Sequence, residues 1–111
     1  MEKIKQYQAC IQQVIERHAS HRPAYGEVEL QTIYDTERHH YQLVHAGWHK
    51  NQRKYGCLMH FDIINGKIWI QHDGTEIGVA NELVELGIPK TEIVLAYQPP
   101  YKRPYTEFAV A

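Results

Sequence analysis

Residues 55–72, YGCLMHFDIINGKIWIQH, decide the fold. Two β-rich runs flank Asn65-Gly66, a pair that tolerates positive φ at both centres of a two-residue hairpin. Residues 55–64 and 67–72 are therefore expected as antiparallel neighbours. Upstream, residues 40–48 read as another strand. Before them, residues 28–34 open by alternating apolar and polar side chains. Asp35-Thr36-Glu37-Arg38 is a polar turn, and His49-Lys50-Asn51-Gln52-Arg53-Lys54 is expected as a basic loop. These short connections predict a four-stranded antiparallel meander.

Farther out, residues 2–19 predict an amphipathic helix. Ile4, Tyr7, Ile11, Val14, Ile15 and His18 recur at three- and four-residue spacings and share one stripe. Cys10 borders that stripe as a small hydrophobe. Ser20-His21-Arg22-Pro23 is expected to stop the helix, because the residue before proline avoids helical geometry.

Downstream of the hairpin, Asp73 or Thr75 is expected to cap a second helix. Ile77, Ala80, Leu83 and Val84 form one half of it, and Val79 and Leu86 widen the apolar arc. Asn81, Glu82 and Glu85 are expected on the wet side. Gly87 suits the position after the helix, and Pro89 blocks continuation. Ile93-Val94-Leu95-Ala96-Tyr97 reads as a short buried fifth strand. The tail from Gln98 to Ala111 carries three prolines with Tyr101, Tyr105 and Phe108, so an ordered, extended segment along the surface is expected. The predicted fold class is α+β, one domain over residues 1–111, with helices packed on the sheet.

Composition narrows the function. The chain has 111 residues with 12 Lys+Arg against 13 Asp+Glu. A dedicated duplex-binding domain draws most of its affinity from phosphate neutralisation and carries a basic excess, which this chain lacks. Two cysteines, Cys10 and Cys57, make no disulfide framework. No stretch approaches the roughly 20 apolar residues of a membrane span. Met1-Glu2-Lys3-Ile4 leads straight into helix, so a cytoplasmic chain with reduced thiols and no membrane association is expected.

Chemical motifs are sparse. His39, His40, His45, His49, His60 and His72 fall on strands and turns, where residues two apart share a face. Without paired cysteines or HExxH, they read as ordinary surface and cross-strand histidines, and no metal or other cofactor is expected. Asp62 and Asp73 lie near strand ends. No nucleophile motif and no phosphate-cradling glycine loop is present, so no catalytic residue is assigned. Two surfaces stand out instead. Lys50, Arg53 and Lys54, beside Trp48 and Tyr55, with Lys102 and Arg103, are candidate nucleic-acid contacts by charge and stacking. Val79, Leu86, Pro99, Pro100, Tyr101 and Tyr105 are candidates for a partner surface, and an exposed fifth-strand edge or the tail offers a route to a homodimer.

Residues 73–89, DGTEIGVANELVELGIP, then Ile93-Val94-Leu95, then the tail QPPYKRPYTEFAVA at 98–111, closely resemble the XisI family. These are the fdxN element excision controlling factor proteins of cyanobacteria. The resemblance extends to the opening helix and the hairpin around Asn65-Gly66, and Pro-Pro-Tyr-Lys-Arg-Pro-Tyr is its most specific part. It implies a non-enzymatic controlling factor in programmed DNA excision, acting with an XisH-like partner and a site-specific recombinase. It also implies one alternative, a general regulatory or antitoxin-like partner of a nuclease-like XisH protein; the basic residues Lys50, Arg53, Lys54, Lys102 and Arg103 add another, a direct DNA-binding accessory protein. A small hydrolase or metal enzyme built on the histidines is the remaining reading.

Overall fold

The computed structural model describes residues 2–21 and 27–111. The elements run α1 (Glu2–His21), β1 (Glu27–Asp35), β2 (His40–His49), β3 (Gln52–Ile64), β4 (Lys67–Asp73), α2 (Val79–Glu85) and β5 (Ile93–Leu95). Single 3-10 turns lie at Lys90–Glu92 and Arg103–Tyr105. The sheet order is β1-β2-β3-β4-β5. The first three pairings are antiparallel, and β5 joins β4 in parallel because α2 forms the crossover between them. The architecture is α+β, as expected.

α1 buries Tyr7, Cys10, Ile11, Val14 and Ile15, most of the expected stripe. They meet Tyr41, Leu43, Met59, Phe61, Ile68 and Ile70 from the sheet in one continuous core. The helix runs through Ser20 and His21, past its expected end at 19; Arg22 and Pro23 lie outside the described residues. Its first turns are tied to the segment before β5. Tyr7 Oη donates to Glu92 Oε1 at 2.8 Å, and Lys3 pairs with the same carboxylate. Burial first, then Glu92, pushes the Tyr7 hydroxyl up to about 12.

The expected basic loop at 49–54 is a two-residue turn. Lys50 and Asn51 take φ of 48° and 64°, the double left-handed geometry that continues strand twist through a tight hairpin. Arg53 and Lys54 are consequently residues of β3, paired with Trp48 and Gly47. Asn65 and Gly66 form the other tight turn, with φ of 51° and 77°. Register shifts interrupt β2–β3 between Leu43 and Val44, and β3–β4 between His60 and Phe61.

α2 begins later than the capping signals suggested. Asp73, the last residue of β4, accepts from the first helical amide, Val79 N, at 3.0 Å, and Thr75 in the following loop accepts from Gly78 N at 3.1 Å. Ile77 therefore precedes the helix and is exposed. The C-terminus is a Schellman closure at Gly87, φ 99°. Ile88 N donates to Leu83 O and Gly87 N to Val84 O, and Ile88 and Leu83 are both buried. Glu82, expected on the wet side, is buried instead. Its carboxylate accepts from Arg17 Nη1 at 3.1 Å and meets His18 Nε2 at 2.6 Å, locking α2 against the end of α1.

The tail is ordered but not extended as expected: it folds through successive turns and the 3-10 turn at Arg103–Tyr105. Ala109 N donates to Ile93 O, and Ala109 bridges Val94 on the outer side of β5. The fifth-strand edge expected to be open is thus covered there by the chain's own end.

Candidate functional site

Strand alternation divides the sheet into two unlike faces. Both helices pack on one of them. The opposite face carries, from β1 to β4, residues such as Ile33, Val44, Tyr55, His60, Asp62 and Trp69; neither α1 nor α2 packs on it, and at its β4 end the tail's Arg103 lies over Trp69. Ile33, Trp48 and Tyr55 are 46%, 51% and 71% exposed. Trp48 and Tyr55 stand near each other, whereas Ile33, opposite Gln42, lies about 20 Å along the strands from Trp48.

The β2–β3 end of that face is aromatic and basic. Trp48 pairs with Arg53 across the strands. The Arg53 guanidinium lies 5.6 Å from the Trp48 ring centre and 5.8 Å from that of Tyr55, held between two aromatic rings. Lys50 sits at the turn itself and is exposed.

The other end is polar. Asp62 pairs with His40 across β2–β3 and with Trp69 across β3–β4. His40 Nδ1 lies 2.7 Å and His60 Nε2 2.9 Å from Asp62 Oδ1. Gln71 Nε2 donates to Asp62 Oδ2 at 3.1 Å. The aspartate is buried, and its charge is met by hydrogen bonds on both oxygens. Among the described residues, these two histidines and this aspartate form the one grouping that offers three ligand atoms within 4.8 Å of one another. Sequence reading placed the histidines on strands but did not bring these three together.

The five basic candidates do not converge. Arg53 and Asp62 are separated along β3 by about 30 Å at the usual strand rise. Arg103 belongs to the Asp62 end, where its guanidinium lies 5.6 Å from the ring centre of Trp69. Its nitrogens donate to the backbone oxygens of Gln98, Ala96 and Val110 at 3.0, 3.3 and 3.4 Å. Arg103 therefore clasps the tail, while Lys102 beside Tyr101 stays exposed. Arg53 and Lys54 leave the loop for a strand, and Lys54 is half-buried.

The partner-surface candidates also divide. Val79 is fully buried in the core and is withdrawn from any surface. Leu86 is partly buried and packs against the same core. Val79, Ala80 and Leu83 of the arc are buried in the core with Ile88, while Val84 and Leu86 are only partly covered. Pro100, Tyr101 and Tyr105 are exposed on the tail, and Pro99 is half-buried. Tyr101 and Tyr105 reach 71% and 89% exposure. No helix among the described residues is long and apolar enough to cross a membrane.

Known proteins match this architecture. The crystal structure of a XisI-like protein from Anabaena variabilis superposes with a TM-score of 0.93 at 44% identity, covering 97% of this chain and 99% of that one. The fdxN element excision controlling factor XisI from the same organism superposes with a TM-score of 0.86 at 34% identity, covering 98% and 99%. No curated protein matches the chain. A family model described as XisI protein matches residues 1–110. Both halves of the sheet, the two helices and the tail fall within that match, and the chain belongs to the XisI protein family.

Proposed function

We propose that this protein is a non-enzymatic controlling factor for site-specific DNA excision of the fdxN-element type. It works through protein contacts with an XisH-like partner and a recombinase. The observation that carries the reading is the sheet face turned away from α1 and α2, with Trp48 and Tyr55 exposed on it around Arg53. The name borne by the XisI protein of Anabaena variabilis supports the biological setting. Near-balanced charge favours protein over duplex as the primary partner.

Co-purification with an XisH-like protein, followed by size exclusion with light scattering, tests it. A stable complex is expected, weakened when Trp48 and Tyr55 are both changed to serine while the thermal transition is kept. A complex indifferent to that pair would move the contact to the tail, at Tyr101 and Tyr105. Absence of any complex at micromolar concentration would overturn the reading.

A second reading has its own observation: Arg53 sits between two exposed rings, a geometry suited to stacking on an unpaired base. Affinity for single-stranded DNA that falls steeply with salt and with Arg53→Ala would favour it.

A further inference from the structure

We propose that His40, His60 and Asp62 form a zinc site on the helix-free face of the sheet, a reading independent of the regulatory role above. The donor set is two imidazole nitrogens and one carboxylate oxygen. That combination suits borderline divalent transition ions, Zn2+ foremost, rather than Ca2+ or Mg2+, which prefer oxygen alone.

The geometry is close to what an ion needs. His40 Nδ1 and His60 Nε2 already converge on one atom, Asp62 Oδ1, at 2.7 and 2.9 Å. A tetrahedral shell with bonds of 2.0–2.2 Å places its ligand atoms about 3.3 Å apart. Small rotations of exposed or half-exposed rings supply the difference, with the backbone left in place. Asp62 is the anchor: its side chain is 10% exposed, and Gln71 holds the other oxygen, leaving Oδ1 directed at the two rings. His40, at 53% exposure, forms the open wall, so further coordination positions point to solvent or to a bound partner.

Neighbouring groups support coordination. Each ring must present a lone pair inward, which puts its proton on the other nitrogen. For His40 that is Nε2 on an exposed ring. For His60 it is Nδ1, which faces the side-chain amide of Gln42 at 3.3 Å. Turning that amide end for end presents its oxygen as the acceptor, the outer-shell arrangement that fixes a ligating histidine.

Calorimetric titration of the metal-stripped full chain with Zn2+ tests this. One Zn2+ per chain is expected at micromolar concentration, with affinity at least tenfold weaker in both His40→Gln and His60→Gln. His45→Gln, on the opposite side of β2, is expected to bind as the parent does. Co2+ is expected to give visible bands without the thiolate charge-transfer absorption that Cys57 or Cys10 would produce. His40→Gln changes an exposed ring, so it carries the test even if His60→Gln fails to fold. No saturable Zn2+ binding, or binding undiminished in His40→Gln, would overturn the site.

Discussion

The two faces of the sheet are built from the same strands and obey opposite rules. Toward the helices, Tyr41, Leu43, Met59, Phe61 and Ile70 are fully buried. Away from them, one residue along in each strand, stand Gln42, His60, Asp62 and Tyr55, of which only Asp62 is buried. The covered face is chosen by volume and dispersion contact, where every methylene is felt. The open face is chosen by hydrogen bonds, ring stacking and what it can present. Ile33, Trp48 and Tyr55 stand exposed on it, outside the core that the helices close, while Val44 on the same face is buried.

The comparison is sharpest in stability. Phe61→Ala is expected to cost about 3–5 kcal/mol, from lost transfer energy and a cavity that cannot collapse. Tyr55→Ala is expected to stay within about 0.5 kcal/mol. Urea midpoints of the two variants measure the difference; similar losses on both faces would mean that the open face is covered in solution.

Next in size is the lock between the helices on the covered side. Glu82→Ala removes the carboxylate that Arg17 Nη1 and His18 Nε2 meet and is expected to cost about 2 kcal/mol. A shift in thermal transition checks it, and a neutral outcome would place Glu82 among ordinary wet-side residues after all.

The tail connects the two faces at their edge. Arg103→Ala removes three donations to backbone oxygens and the contact with Trp69. It is expected to cost about 1–2 kcal/mol. Hydrogen exchange at the Ala109 amide should quicken more than exchange in β3.

The smallest effect is a pH dependence at the other end of the covered face. The Lys3 hydrogen bond first, and Tyr7 next, hold the Glu92 carboxyl below its ordinary 4.5. A carboxyl lowered on folding contributes stability that is fully present above its unfolded value and is lost as pH falls through the folded one. Wild type and Glu92→Gln should therefore differ above pH 4.5 and converge in acid. Denaturation curves across that range check the sign.

Much of the covered face is legible in the chain. The α1 stripe, the Asn65-Gly66 turn, the Gly87 helix end and the apolar start of β5 follow from periodicity and local φ preference, although β5 stops at Leu95 and Tyr97, expected in the buried strand, is exposed. Other features are hidden for definite reasons. Lys50-Asn51 makes a tight turn although lysine seldom takes positive φ, because strands on both sides hold it there. Glu82 looks like a wet residue on its own helix, and only the end of α1 supplies its partners. The histidine cluster depends on the register shift between Leu43 and Val44. Counting back from His49↔Gln52 without it would set His40 opposite Phe61, a core residue; with it, His40 meets Asp62.

The sequence by itself determined which side chains alternate, where the helices present their stripes and where the chain turns, since these depend on neighbours a few residues away. Only the tertiary structure decided which strand residues stand opposite one another, which half of the sheet stays uncovered and which charges are locked inside. Those outcomes depend on register and packing between segments distant in sequence, where a single extra residue in a strand sends a side chain to the other face.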